Sequence, residues 1–113
     1  MRTDFVSFRD GPGGEICRRI GVDISNLGSW REYTRAMVVY NNQEQGGKLV
    51  RRARNFAGVA CSGEYVLLTA CLWAADFAWL ADELSEGCMW QWMDKVSGDY
   101  RDATAACVAR IDH

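Results

Sequence analysis

Chemistry in a folded chain needs a proton carrier, an activated nucleophile, a metal-binding cluster or a concentration of charge. Of these, this sequence offers concentrated charge most clearly. Its one histidine is His113 at the end of the chain. Without an internal imidazole, a serine or cysteine nucleophile lacks its usual activating base. The cysteines Cys17, Cys61, Cys71, Cys88 and Cys107 are odd in number, form no C-x-x-C pair and lie in or beside apolar helical patterns. That distribution points to buried free thiols in a reducing compartment, with no zinc site and no disulfide framework. Gly11, Gly13 and Gly14 around Pro12 suggest a phosphate loop only superficially, because no Lys-Ser/Thr follows them. No metal and no cofactor is expected, and a catalytic role is disfavoured.

The charges fall into two groups. At about 100° per residue, Asp76, Asp82, Glu83 and Glu86 share roughly 120° of one helical face, an acidic ridge opposite an apolar stripe near Phe77 and Ala81. Asp76 stands apart, since Trp73, Phe77 and Trp79 flank it and burial could tune its pKa. The basic group is Lys48, Arg51, Arg52 and Arg54, which suits nucleic-acid phosphate, an acidic partner or a neighbouring acidic helix. Trp90 and Trp92 form a third candidate. Two residues apart, they cannot share one helical face, so either gap-filling between helices or an exposed interface anchor is open to them.

The elements that must position these groups are helical. Ser62 to Gly87 has apolar residues at three- and four-residue intervals, with Ser62 as the expected N-cap and Gly87 as the expected C-terminal stop. Ser29 and Glu32 match a capping box and predict a helix from Trp30 to Asn41. Leu49, Val50, Ala53, Phe56, Ala57 and Ala60 predict a helix after the Gly46-Gly47 break. Ser97 or Asp99 caps a final helix with Tyr100, Ala103, Thr104, Cys107, Val108 and Ile111 on one face. Before these, two short apolar segments separated by Asp10 to Gly14 read as a β-hairpin or a flexible arm. The expected fold is mainly α: a compact bundle of four to five helices in a single domain, 1–113, with residues 1–24 as hairpin or arm and 25–113 as helical core.

With 49% hydrophobic and 25% charged residues, the composition is that of an ordinary soluble globular protein and excludes a disordered tail. The net charge of −2 hides an asymmetry: residues 1–54 hold ten Lys/Arg against six acids, and residues 55–113 hold three against nine. Either the two halves pack on each other, or opposite surfaces face different partners. No signal peptide or membrane span is expected, which places the protein in the cytoplasm.

One likeness adds a setting. The block SGEYVLLTACLWAADFAWLADEL, then Trp92-Met93-Asp94, Tyr100 and the Ala-Ala-Cys-Val-Ala-Arg helix, resembles small uncharacterised proteins carried by proteobacterial plasmids and phages. The resemblance covers the C-terminal half and transfers no residue roles. It implies a mobile-element setting in which non-enzymatic inhibitors such as anti-CRISPR proteins are common. The expected function is therefore stoichiometric binding of a protein target, such as a nucleic-acid-binding complex, through the acidic ridge and Trp90 or Trp92. A regulator that contacts nucleic acid through helix 48–57, and a structural protein that self-associates as a homodimer through the tryptophans, are the alternatives.

Overall fold

Every residue from Val66 to Leu72 is buried, so the middle of the central helix has no solvent face at all. A helix apolar around its whole circumference must be enclosed by others. The computed structural model describes residues 4–85 and 98–110, and within these the chain forms helices and no strand. The enclosed helix, α5, is Ser62–Ala74. Around it pack α2 (Pro12–Arg19), α4 (Lys48–Ala57), α6 (Ala78–Ser85) and α7 (Gly98–Ala109), while α1 (Phe5–Asp10) lies on α2 and α7, and α3 (Trp30–Asn41) lies on α4. The described residues thus hold seven helices, more than the expected four to five.

The N-terminal segment is where expectation and structure differ most. Residues 5–19 form no hairpin; they form α1 and α2, joined at the single residue Gly11. The local chemistry explains this. Asp4 caps α1 by accepting a hydrogen bond from the Ser7 amide at 3.0 Å, and Pro12 occupies the first turn of α2, where its missing N–H costs nothing. Gly13 and Gly14 are not flexible turn residues. A Cβ on Gly13 would lie 2.3 Å from the Phe8 ring, and one on Gly14 would lie 2.0 Å from the Arg9 carbonyl oxygen. They are glycines because α1 crosses α2 almost in backbone contact.

That crossing delivers Phe5 and Phe8 to α3. Their rings meet Trp30 and Tyr33 in one cluster, with centroids between 4.8 and 6.1 Å apart and several edge-to-face pairs. Such geometry sets the positive ring edge against the negative face. The α3 boundaries are those the capping pattern predicts: Ser29 Oγ accepts from the Glu32 amide at 3.2 Å. Glu32 itself reaches one residue further back than a capping box requires and accepts from the Gly28 amide at 3.1 Å.

The expected single helix from Ser62 to Gly87 is broken. Asp76 adopts φ +67°, and the Phe77 amide reaches back to the Leu72 carbonyl at 2.9 Å, the long bond of a Schellman stop. A glycine normally holds that position, and an aspartate there hid the break. At its start, α5 is capped one residue earlier than expected: Cys61 occupies the N-cap, Ser62 lies inside the helix, and the Glu64 carboxylate accepts from the Cys61 amide at 2.9 Å. Asp99 likewise lies within the first turn of α7. Gly87 and Ser97 lie outside the described residues.

The ends of these helices are closed by other helices. The α5 carbonyl of Cys71 receives the Tyr33 hydroxyl at 2.7 Å and that of Ala74 receives Thr34 Oγ1 at 3.3 Å, both from α3. Tyr65 on α5 donates in turn to the Leu84 carbonyl near the end of α6 at 2.5 Å. The α4 N-cap, Gly47, has no side chain, and Asn41 Oδ1 substitutes by accepting from the Val50 amide at 3.1 Å. The contacts at α5 and α4 satisfy groups that a helix leaves without an internal partner.

Candidate functional site

The helix break separates Asp76 from the rest of the acidic ridge. Asp76 is on the turn between α5 and α6, on the side of α3, whereas Asp82 and Glu83 project from the exposed face of α6. Glu83 is held by Arg54 through two bonds, at 2.9 and 3.1 Å. Glu86, Trp90 and Trp92 lie outside the described residues. Among the described residues the ridge comprises Asp82, whose carboxylate has no ion-pair partner among them, with Glu83 beside it.

Sequence reasoning missed the residue between them and the turn. Trp79 is 54% exposed, one of the largest apolar side chains presented to solvent. It precedes Asp82 by three residues and Glu83 by four, so the three share the outer face of α6. Leu80, Ala81 and Ser85 face inward. The available signal was periodicity: with Leu80 and Leu84 turned to the core, position 79 falls on the opposite side.

The basic helix is occupied within the chain. Arg51 pairs with Glu44 at 2.9 Å and holds that carboxyl below its ordinary range through the hydrogen bond between them. Arg54 pairs with Glu83, and Arg52 donates to the Arg19 carbonyl at 3.4 Å. Lys48 donates to Gln43 and lies over the Tyr40 ring at 4.8 Å. Arg19 joins the two charge halves from another side, 3.6 Å from Glu64 and stacked 4.6 Å above Phe56. Arg54–Glu83 and Arg19–Glu64 join the two halves, whereas Arg51–Glu44 and Arg9–Asp10 pair within the basic half.

A different set of exposed arginines lies together near α3. A groove of about 580 Å³ is lined by Trp30, Arg31, Thr34, Arg35, Val38 and Val39 of α3, by Asp76, and by Arg110 just past α7. Arg31 and Arg35 have no hydrogen-bond or ion-pair partner among the described residues. Arg110 lies 5.0 Å over the Trp73 ring.

The nucleophilic groups sit elsewhere. Cys17, Cys71 and Cys107, from α2, α5 and α7, are buried free thiols around Tyr33, and only Cys61 among the described cysteines is exposed. A hydrogen bond with Cys71, then burial, pushes the Cys17 thiol well up; burial first does the same to Cys71 and to the Tyr33 phenol. Raised thiol pKa values mean little thiolate and low reactivity. Among the described residues no group of three or more His, Cys, Asp or Glu is arranged to hold a metal ion, and no helix is long and apolar enough to cross a membrane. No protein family, curated protein or solved structure matches the chain.

Proposed function

We propose that this chain is a non-enzymatic protein that binds a protein target stoichiometrically, with the outer face of α6 as its contact surface. The observation that carries the reading is Trp79, more than half exposed beside Asp82, whose carboxylate has no ion-pair partner among the described residues. Tryptophan is enriched among residues that dominate binding energy, and a neighbouring carboxylate adds orientation and on-rate toward a basic site. An aromatic anchor flanked by carboxylates also suits occupation of a basic groove that otherwise takes nucleic acid, the action of an inhibitor of the anti-CRISPR kind. The alternative of phosphate contact through Lys48, Arg51, Arg52 and Arg54 has less support, since each of these cations already has an acceptor or ring within the chain.

The test compares tagged wild-type protein with Trp79→Ala and Asp82→Lys as baits in nuclease-treated host lysate. A captured protein that both substitutions release, with thermal midpoints unchanged, supports the reading. Capture indifferent to both, or lost on nuclease treatment, overturns it. Glu83 is a poor probe because removing it frees Arg54.

A further inference from the structure

Among the described residues, Arg31, Arg35 and Arg110 line one groove with Asp76 as its one carboxylate, so three formal positive charges face one negative charge. We propose that this groove docks an acidic segment of a partner protein, one that carries carboxylates on either side of an aliphatic side chain. The surface is distinct from the α6 face and of opposite sign.

Three features select that occupant. Arg31 and Arg35 stand four apart on α3, a spacing that sets Cβ atoms about 6 Å apart on one helical face, with fork-shaped donors that match carboxylates in pairs. Neither has an acceptor among the described residues, unlike the arginines of α4. Beside them Val38 and Val39 are 38% and 57% exposed, which gives an aliphatic residue of the segment apolar surface to cover. Single-stranded nucleic acid gains much of its hold from aromatic rings on which its bases stack. Trp30 is only 5% exposed and Arg110 lies over Trp73, so the groove presents no such platform. Asp76 gives the groove a polarity, repelling carboxylates from the end it occupies.

Fluorescence anisotropy with a labelled octapeptide of alternating Glu and Leu tests the proposal, beside an octapeptide of alternating Glu and Ser and a short thymidine oligonucleotide. Wild-type protein is expected to bind the Glu-Leu peptide best. Arg31→Gln with Arg35→Gln should weaken it about tenfold or more, as for two lost charge pairs across an interface. Asp76→Asn should tighten it about two- to fivefold, the size of one exposed charge interaction, and asparagine keeps the left-handed turn. All these positions are exposed, and an unchanged thermal midpoint certifies the fold. Failure of the Glu-Leu peptide to bind, equal binding of the Glu-Ser peptide or tighter binding of the oligonucleotide, or insensitivity to the arginine pair, overturns the proposal. None of these outcomes bears on Trp79, so the α6 reading stands or falls separately.

Discussion

Tyr33 carries several of the molecule's constraints in one side chain. Its ring is fully buried against Phe5, Phe8 and Trp30, and its hydroxyl closes the Cys71 carbonyl of α5. The Ala75 amide, which a continuing helix would have turned to that carbonyl, bonds to Leu72 instead. Tyr33→Phe keeps the ring and removes the donor, leaving a buried acceptor unsatisfied. It is expected to lower stability by about 1–3 kcal/mol, read from chemical denaturation. A variant as stable as the wild type would mean that another donor reaches Cys71.

Two glycine and cysteine positions put the element-scale argument to the test. Alanine is the better helix former by about 1 kcal/mol, so propensity alone has Gly14→Ala stabilise α2. The 2.0 Å approach to the Arg9 carbonyl predicts the reverse, a net loss, because overpacking costs about 1–3 kcal/mol. Cys61→Ser should stabilise α5 by about 0.5–1 kcal/mol, since a hydroxyl oxygen caps better than sulfur, and thermal melts decide both signs. The same positions show what was legible in the sequence. Helix α3 was readable at its start because Ser29 caps the Glu32 amide as the pattern requires, and along its length because its apolar spacing is regular. Helices α1 and α2 were not, because glycines that permit close packing look like glycines that permit turns. The break at Asp76 was hidden for a related reason: an acidic residue took a conformation usually marked by glycine or asparagine. Asp76 joined the acidic ridge only by extending one helical period through that break, whereas the charge asymmetry along the chain anticipated the two contacts between its halves, Arg54–Glu83 and Arg19–Glu64.

Three buried titratable groups from three helices meet at the centre of the molecule, and together they set its response to base. Cys17, Cys71 and Tyr33 are all pushed above their ordinary values of 9.0 for a thiol and 10.0 for a phenol. At high pH the unfolded chain releases these protons before the folded one, so the native state binds more protons and stability falls as pH rises. Denaturation midpoints should be insensitive to these groups below about pH 8 and should decline steadily above it, with Cys17→Ala removing part of the slope. A flat alkaline profile would contradict the buried cluster.

The exchange of caps between helices has a kinetic counterpart. Helix ends ordinarily fray first, and their amides trade hydrogen with solvent through small local openings. Here the end of α5 is closed by side chains of α3 and the start of α4 by Asn41 of α3, while Tyr65 of α5 holds the Leu84 carbonyl of α6. To release any of these ends, two helices must part. The amides of Ala75, Phe77 and Val50 should therefore exchange with deuterium nearly as slowly as those at the middle of α5, and a proteolytic cut in one connection should release no stable fragment.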